Sequence, residues 1–522
     1  MRIAAIDLGS NSIHLLIVEV AQSGGFKVID REKEMVRLGS GTLSRGRLSA
    51  EAMRRGLEAL RGYKRLAQNH GVEKIIAVAT SAIREATNGE DFLEGIGRET
   101  GIWPKAVSGE EEARLIYLAA LHSIHLEGKR ALVVDIGGGS VELALGAGQQ
   151  LEGCFSEKIG VLRMSEEFAK SDPLSSKDEA RLVERVRSVV EPHAERVLEA
   201  GFDCVVGTSG TILALGRMAL DLDGSPPPET LHHTTVKVEA LRSLRKKLVA
   251  SDLRGRLKMS GMDEERADII VAGSVILDVI LGRLQVSELV LCDWALREGI
   301  LLNYVHGHPR SLARAEAYPD VRRRSVIDLA ERCAYDEAHG RHVATLALSL
   351  FDQTKKHHGL GDPERALLEY ASLLHDIGHH ISYPGHHKHS YYLIKNGDLR
   401  GFSPLEIETL ANVARYHRRG LPRKKHTGFA ALPRESRRTT KVLAGFLRVA
   451  DALDRSHRQA VRSLAVSERG TALKVRLEVQ GEGELELWGA RRRVDLMEAT
   501  LGVSLKLEPQ PDESPVLRSG RG

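Results

Sequence analysis

The pattern of apolar and polar positions repeats in two distant parts of this chain. Near the N-terminus, an apolar run at residues 3–6 leads to an Asp, a glycine-containing turn and a second apolar run, and the same order recurs from residue 131. The Asp, Gly, Ser and Leu of the two copies match at one constant offset. Apolar runs that flank a tight turn predict two β-hairpins.

The turns of these hairpins favour phosphate binding. Such a turn directs successive backbone N–H groups into one concavity, which binds phosphate oxygens without a side-chain charge. Asp7 and Asp135 enter their turns where a carboxylate suits a hydrated divalent cation. One copy alone is compatible with an ordinary hairpin, because Asp and Gly are common turn residues. Two copies that match at one constant offset predict a site that binds a phosphate chain from two sides.

Strand and helix patterns alternate around the hairpins. Residues 51–67 predict a helix, residues 74–79 a buried strand, and residues 108–111 a capping box that opens a helix at 112–121. A strand, a glycine turn and a helix start follow again at residues 204–211. This alternation predicts two α/β units folded on each other.

The pattern changes in the second half of the chain. From residue 325 to about 454 the apolar spacing is helical, and the segment is rich in His and Arg. A small α+β module follows, with predicted strands at 464–466, 472–479, 484–488 and 504–507 and a helix at 491–501. The predicted domains are 1–125, 126–308, 309–460 and 461–510, followed by a disordered tail at 511–522.

Length and composition indicate a multidomain protein without membrane-spanning or secretory features. A chain of 522 residues is too long for one core. No apolar stretch is long enough to span a bilayer, since the longest, residues 269–281, contains Asp278. The N-terminus enters a strand directly, unlike a signal peptide, and four widely spaced cysteines show no metal-binding pattern. These features predict a cytoplasmic protein with no membrane partner.

Six motifs in the first half carry a family resemblance. They are Asp7-Leu-Gly-Ser-Asn-Ser12, Arg37-Leu-Gly, Ala79-Thr-Ser-Ala-Ile-Arg84, Gly109-Glu-Glu-Glu112, Asp135-Ile-Gly-Gly-Gly-Ser-Val-Glu142 and Gly207-Thr-Ser-Gly-Thr211. In this order, over about residues 1–305, they resemble the exopolyphosphatase / guanosine pentaphosphate phosphohydrolase family. The resemblance implies two actin-like, ribonuclease H-like α/β phosphotransferase domains with the active site between them.

The resemblance also implies roles for individual residues. Glu112 is the expected catalytic carboxylate, which orients and partly deprotonates the attacking water. The alternative is that acids favour the first turn of any helix. Glu142 is expected near the metal, and Asp7 and Asp135 are expected to hold Mg²⁺, largely through water. The implied phosphate-binding residues are Gly9, Ser10, Asn11, Ser12, Arg37, Arg84, Gly137, Gly138, Gly139, Ser140, Gly207, Thr208, Ser209 and Gly210.

The histidine-rich segment resembles a second class of domain. His342, His375-Asp376 and Asp451 have the order of the HD metal-dependent phosphohydrolase domain, which is helical. Imidazole and carboxylate ligands together suit Mn²⁺ or another transition metal. The resemblance suggests His389 and His417 as ligands of a second metal. Lone helical histidines are more often structural, and we assign that role to His379, His380, His386 and His387.

A basic loop follows His417. Its cations are Arg418, Arg419, Arg423, Lys424 and Lys425. Basic loops are common on protein surfaces, but one that follows a phosphate site along the chain suits guidance of a long polyanion. Aromatic residues make up only 4% of the chain, so a stacking surface for single-stranded nucleic acid is not expected.

Together these features predict a Mg²⁺-dependent exopolyphosphatase that removes terminal phosphate from inorganic polyphosphate. Hydrolysis of guanosine pentaphosphate at its 5′ end is the alternative, because both substrates present an end phosphate. An HD-domain nucleotide phosphohydrolase and a non-catalytic polyphosphate or alarmone sensor are further alternatives. The family resemblance also suggests a homodimer.

Overall fold

The computed structural model describes residues 1–20, 26–126, 128–222, 224, 228, 230–306, 320–470, 472–481 and 483–510. The chain divides into two compact units, Met1–Val321 and Arg322–Gly522. The predicted tail at 511–522 and most of the predicted boundary near 308 lie outside the described residues.

The first sheet of the N-terminal unit contains the first predicted hairpin. Its strands are β1 (Arg2–Leu8), β2 (Ile13–Val20), β3 (Phe26–Glu34), β4 (Lys74–Ala79) and β5 (Lys105–Ala106). The strand order is β3-β2-β1-β4-β5. β1, β2 and β3 pair antiparallel, and β4 lies parallel to β1. Apolar residues of β1 and β2 are fully buried, which fixes the register of this hairpin.

The second sheet repeats this arrangement. Its strands are β6 (Arg130–Ile136), β7 (Val141–Ala147), β8 (Gln150–Glu157), β9 (Cys204–Thr208), β10 (Thr235–Lys237) and β11 (Glu288–Leu291). The order β10-β11-β9-β6-β7-β8 places an antiparallel β6-β7-β8 meander beside the parallel strand β9. The predicted duplication of an α/β unit is therefore visible in the topology of both sheets.

Helices cover the two sheets. They are Thr42–Arg45, Ala50–Asn69, Ser81–Glu85, Gly89–Thr100, Gly109–Ser123, Val161–Phe168, Ser176–Ala200, Ser209–Leu222, Val238–Ala250, Leu253–Leu257, Ile270–Arg283 and Leu296–His306. One apolar cluster joins residues of β1 and β6 with the helices Gly109–Ser123 and Leu296–His306. These two helices therefore share one core with both sheets, and the first of them carries Glu112.

The C-terminal unit is mainly helical. Its helices are Val321–Arg332, Glu337–Gln353, Lys355–His358, Asp362–Leu374, His386–Lys395, Pro404–Arg415, Thr427–Ala431, Arg434–Leu453, Glu484–Arg491 and Asp495–Leu501. The strands β12 (Val461–Arg469), β13 (Ala472–Val479) and β14 (Ser504–Pro509) form one small sheet in that order. None of the helices in the described part of the chain combines the length and apolarity needed to cross a membrane.

One predicted strand of this module is wrong. Residues 484–488 belong to the helix Glu484–Arg491 and not to a strand. Acidic residues in its first turn and Arg491 in its last turn complement the helix dipole. The Glu486 carboxylate is buried and accepts a hydrogen bond from the Ser456 backbone N–H, while Trp488 is exposed. An apolar-polar alternation over only five residues does not distinguish a strand from a helix.

Candidate functional site

Two turns with the same hydrogen bond form the centre of the N-terminal unit. The Gly9 N–H donates to the Ser12 carbonyl at 3.1 Å, and the Gly137 N–H donates to the Ser140 carbonyl at 3.0 Å. The first turn connects β1 to β2, and the second connects β6 to β7. The repeated sequence pattern therefore folds twice into one local structure.

The two turns face each other closely. A Cβ added at Gly138 would lie 3.1 Å from the Asn11 backbone N, so only a residue without a side chain fits there easily. A Cβ at Gly139 would lie 2.5 Å from the Ser81 hydroxyl. The glycines of the second turn thus allow its backbone to approach the first turn, as a shared phosphate site requires.

A cleft of about 770 Å³ opens at these turns. Most of the predicted phosphate-binding residues line it: Gly9, Ser10, Asn11, Ser12, Gly137, Gly138, Gly139, Ser140, Ser209 and Gly210. Asp7, Asp135 and Glu112 line it as well. Ser209 has a positive φ of 85°, an uncommon conformation for a residue with a side chain, where the helix Ser209–Leu222 begins.

Four predicted phosphate-binding residues do not line the cleft. Gly207 lies within β9, and the buried Thr208 donates its hydroxyl to the Trp294 carbonyl at 2.6 Å. Arg37 forms a bidentate ion pair with Asp268, with N–O distances of 2.6 and 3.1 Å. Its guanidinium is thus engaged by a partner distant in sequence. Arg84 contacts Glu112, a carboxylate of the cleft.

Glu112 is buried and held by one cation. The Ser108 hydroxyl caps the helix Gly109–Ser123 by accepting a hydrogen bond from the Glu111 N–H at 3.1 Å. One turn into this helix, Glu112 is only 7% exposed, and its Oε2 lies 3.0 Å from Nη1 of Arg84. Arg84 also donates to the Val107 carbonyl at 2.8 Å. The carboxylate is therefore fixed in orientation, which a solvated acid at a helix start would not be.

Three buried carboxylates, those of Glu112, Asp135 and Glu142, and the half-buried carboxylate of Asp7 influence one another electrostatically. Burial and the neighbouring acids raise the pKa of Asp7 and Glu142 well above the usual range. Burial and Glu112 raise the pKa of Asp135 to about 7. Burial also raises the pKa of Glu112, although Arg84 opposes the effect. Such a group of acids is favourable for a cation, which would relieve their mutual repulsion.

Two observations bear on a metal in the cleft. Oδ1 of Asp7 is buried and has no hydrogen-bond partner, as expected of an atom that faces a cation or its water. Among the described residues, however, no three His, Cys, Asp or Glu side chains of the cleft have ligand atoms within 4.8 Å of one another. The donor set therefore fits a hydrated oxygen-bound ion such as Mg²⁺, which keeps several of its waters.

Sequence reasoning assigned no role to four cations of the cleft, namely Lys33, Arg217, Arg266 and Arg297. A Cβ at Gly210 would lie 2.1 Å from Nη2 of Arg266, so this guanidinium packs directly on the glycine turn. Arg266 and Arg297 lie in the segments Arg266-Ala-Asp268 and Leu296-Arg-Glu-Gly299, within the stretch of about residues 1–305 that resembles the family, and this position was the sequence signal for them.

The C-terminal unit holds a separate cluster of histidines and carboxylates. Nε2 of His375 lies 3.8 Å from Oδ2 of Asp376 and 3.6 Å from Oδ1 of Asp451. Nε2 of His417 lies 3.4 Å from Oδ1 of Asp376. The structure thus brings together four of the six residues that the sequence assigned to this site. Two possible ligand groups share Asp376, one with His339 and His375 and one with His379 and His386.

Two residues predicted as ligands, His342 and His389, belong to neither possible ligand group, whereas the histidines three residues earlier do. His339, not His342, belongs to the cluster, since its Nε2 lies 3.3 Å from Nε2 of His375. His386, for which the sequence predicts a structural role, has its Nε2 3.1 Å from Oδ1 of Asp376, whereas His389 belongs to neither ligand group. Residues three apart are neighbours on a helix surface, so the order of residues did not distinguish them.

The basic loop follows this cluster along the chain. Nη1 of Arg418 lies 3.3 Å from Nε2 of His386, which places this guanidinium at the cluster. The other four predicted cations are exposed: Arg419, Arg423, Lys424 and Lys425.

The duplicated α/β fold and the acidic cleft define an actin-like phosphatase. The chain belongs to the Ppx/GppA phosphatase family, because residues 16–308 match that family and residues 321–487 match its domain III.

Curated relatives cover most of the chain. It is 33% identical to the guanosine-5′-triphosphate,3′-diphosphate pyrophosphatase of Vibrio parahaemolyticus, over 80% of this chain and 81% of the relative. It is 32% identical to the protein of the same name from Vibrio vulnificus, over 94% of this chain and 96% of the relative.

Solved structures of family members match the N-terminal part. The exopolyphosphatase from Cytophaga hutchinsonii is 29% identical, with a TM-score of 0.56, over 59% of this chain and 99% of that protein. The Ppx/GppA family member of Aquifex aeolicus is 30% identical, with a TM-score of 0.51, over 59% of this chain and 98% of that protein.

Proposed function

We propose that this chain hydrolyses the terminal phosphoanhydride bond at the 5′ end of guanosine 5′-triphosphate,3′-diphosphate. Two relatives that align over at least 80% of the chain carry the name of that activity. This support favours the guanosine nucleotide over inorganic polyphosphate, which was the main prediction from the sequence although its motifs do not separate the two substrates. The observation that carries the proposal is the buried Glu112, fixed by Arg84 beside two phosphate-binding turns.

In this proposal the two turns bind the terminal phosphates. Backbone N–H groups at residues 10–12 and 138–140 surround the phosphate oxygens, and Arg266 adds charge beside Gly210. Glu112 orients a water molecule in line with the scissile bond and accepts its proton. Because burial raises the pKa of Glu112, this carboxylate is a stronger base than an exposed glutamate. No covalent intermediate is required.

Asp7 and Asp135 would hold a divalent cation, with Glu142 as a further acid. The unpartnered Oδ1 of Asp7 and the mutual repulsion of the buried acids support this assignment. When bound, the cation neutralises charge on the phosphate oxygens. Mg²⁺ suits this donor set of oxygens.

Exopolyphosphatase activity is the second candidate. It is favoured by the similarity to a solved exopolyphosphatase over 99% of that protein's length. The polar cleft ends in backbone turns that can receive any terminal phosphate, and the exposed basic loop suits a long polyanion.

Parallel assays distinguish the two functions. Phosphate release is measured from guanosine pentaphosphate, long-chain polyphosphate and ATP, each with Mg²⁺ or Mn²⁺. The proposal predicts the highest kcat/KM for guanosine pentaphosphate. A higher kcat/KM for polyphosphate would select the second candidate, and equal low rates on all three would reject both.

We also propose that the helices from residue 321 to 453 form an HD-type domain. His339, the pair His375-Asp376 and Asp451 lie at the ends or in the first turns of three helices, and they meet in one buried cluster. That placement of ligands on separate helices supports the assignment.

A further inference from the structure

Ser12 of the first phosphate-binding turn is hydrogen-bonded to a histidine two residues later. Its Oγ lies 2.7 Å from Nε2 of His14, and both residues line the cleft. His14 is the second residue of β2 and pairs with Asp7 of β1. The histidine is therefore placed to determine what the Ser12 hydroxyl presents to a ligand.

A buried charge pair holds the other side of the His14 ring. Nη1 of Arg297 lies 3.0 Å from Nδ1 of His14. Nε of the same guanidinium donates to Oε1 of Glu298 at 2.7 Å, and Oε2 of Glu298 accepts from the Ala295 N–H at 2.9 Å. The Glu298 side chain is 1% exposed. The guanidinium is thus fixed in orientation by a carboxylate that is itself held in place.

These contacts leave one arrangement of protons. A guanidinium donates hydrogen bonds and accepts none, so Nδ1 of His14 accepts the bond from Arg297. A neutral imidazole then has its only proton on Nε2, and this N–H donates to Oγ of Ser12. The hydroxyl accepts that bond with a lone pair and keeps its own proton for another acceptor. Among the residues that the structure describes, His14 is the one hydrogen-bond partner of this hydroxyl.

The polarity of the Ser12 hydroxyl decides whether it attracts a phosphate. An ionised phosphate oxygen accepts hydrogen bonds, so it is attracted by the free proton of Ser12. In the other tautomer of His14, the hydroxyl would donate to the ring and direct its lone pairs at the phosphate. The contact with Arg297 excludes that tautomer.

The second turn has an acceptor at the equivalent position. Ser140 and Glu142 take the places of Ser12 and His14 in the repeated pattern. Glu142 is buried, and its Oε1 accepts a hydrogen bond from the Ser156 hydroxyl at 2.8 Å. The hairpin itself therefore does not require a histidine here. A donor beside the first turn suits an anion, whereas an acceptor beside the second turn suits a cation.

We propose that His14 and Arg297 are positioning residues that hold the Ser12 hydroxyl as a hydrogen-bond donor to a phosphate oxygen of the substrate. The inference rests on the proposed function only in that the first turn receives phosphate, which both candidate substrates carry. It involves no proton transfer, because His14 keeps its proton on Nε2 when the phosphate binds.

Binding of imidodiphosphate to the full-length chain tests the donor. This pyrophosphate analogue has a P–N–P bridge that resists hydrolysis, so isothermal titration calorimetry with Mg²⁺ measures affinity without turnover. We expect Ser12→Ala and His14→Phe each to weaken binding about 10–100-fold, as for the loss of one hydrogen bond to a charged group. The double variant should bind no more weakly than the weaker single variant, since His14 acts only through Ser12.

Two further variants separate positioning from a loss of structure. His14→Gln, whose amide N–H can replace the ring donor, should regain most of the affinity that His14→Phe loses. His193→Phe is the matched control, because His193 is a half-buried histidine of the same unit that does not line the cleft. It should bind imidodiphosphate as the wild type does. Far-ultraviolet circular dichroism checks the folding of each variant.

Nuclear magnetic resonance of ¹⁵N-labelled histidine rings tests the tautomer directly. The His14 signals are assigned by their loss in His14→Gln, and we expect a protonated Nε2 and an unprotonated Nδ1. The spectrum is the better test of Arg297, because removing this cation would leave the buried Glu298 carboxylate unpaired.

Steady-state kinetics with guanosine pentaphosphate provide the link to turnover. A hydrogen bond that is made equally in the ground state and the transition state changes KM and not kcat. His14→Phe should therefore raise KM about 10–100-fold and leave kcat within about threefold.

Four results would overturn the proposal. They are a His14 ring protonated on Nδ1, additive losses in the double variant, imidodiphosphate affinity that His14→Phe leaves unchanged, and no binding of imidodiphosphate to the wild type. If the binding results are as expected but the wild type releases no phosphate from guanosine pentaphosphate or polyphosphate, the proposed function fails and this inference does not.

Discussion

The cleft of the N-terminal unit and the cluster of the C-terminal unit place histidines in opposite surroundings. Burial and the cation of Arg297 lower the pKa of His14 at the cleft to about 3. Burial also opposes the charging of His375, but the carboxylates of Asp376 and Asp451 raise its pKa to about 9.

The difference extends to how each site is built. The cleft is built around two backbone turns, with acids and cations beside them. The cluster is built entirely from side chains on helices. The cleft therefore suits phosphates and a hydrated cation, whereas the cluster suits metals bound directly by imidazole.

The largest expected effect is that of removing the proposed catalytic carboxylate from the cleft. Glu112→Gln should reduce kcat for guanosine pentaphosphate by about 10²–10⁴, because the attacking water loses its general base. The change preserves the shape of the side chain, so substrate binding should persist. Glu110→Gln, an exposed acid of the same helical turn, is the control and should keep wild-type turnover.

If the cleft depends on close contact between backbone segments, adding one methyl group between these segments should destabilise the fold. A Cβ at Gly160 would lie 2.5 Å from backbone atoms of Gly138 and Gly139. We expect Gly160→Ala to destabilise the protein by about 1–3 kcal/mol and to raise KM. Urea unfolding and steady-state kinetics measure the two effects. Gly62→Ala, in open space on a helix, should be neutral or stabilising.

The comparison of the two histidines also predicts a pH effect. Because the folded-state pKa of His14 lies below its unfolded value of about 6.5, the unfolded chain binds the proton first as pH falls. The stability that neutral His14 provides is complete above about pH 6.5. It decreases by about 1.4 kcal/mol per pH unit below that value.

His14→Gln should remove this contribution to the slope. The measurement is the free energy of unfolding in urea between about pH 7 and pH 5, for the variant and the wild type. An identical pH slope in both proteins would show that His14 is not kept neutral by its surroundings.

The smallest expected effect is that of the basic loop. We expect weaker binding of long polyphosphate, with a smaller salt dependence, when Arg418, Arg419, Arg423, Lys424 and Lys425 are replaced by Ser. With fewer cations in contact with phosphate, binding releases fewer counterions. Affinity for guanosine pentaphosphate should change less, because a short ligand makes fewer such contacts. Equal losses for both ligands would exclude a polyanion track.

The sequence predicted the cleft better than the cluster for a physical reason. A tight turn fixes the position of each of its residues through one backbone hydrogen bond, so Gly9 and Gly137 could be placed individually. On a helix, residues three apart share a face, and the choice between His339 and His342 needed coordinates. The pairing of Arg37 with Asp268 was equally out of reach, since it joins distant segments.

The secondary structure was also predicted best where the local pattern left little choice. The long apolar patterns of β1, β6 and the helix Gly109–Ser123 were sufficient to predict elements close to those observed. The five residues at 484–488 were too few, and tertiary contacts of Glu486 and neighbouring residues selected a helix.

Hydrolysis of guanosine pentaphosphate in ¹⁸O-labelled water tests the central claim most directly, namely that Glu112 activates water in the cleft. The account predicts one solvent oxygen in the released phosphate and none in the guanosine product. The labelled phosphate should disappear in Glu112→Gln and persist in Asp376→Ala of the C-terminal cluster. Label in the guanosine product, or labelled phosphate that survives Glu112→Gln and is lost in Asp376→Ala, would contradict it.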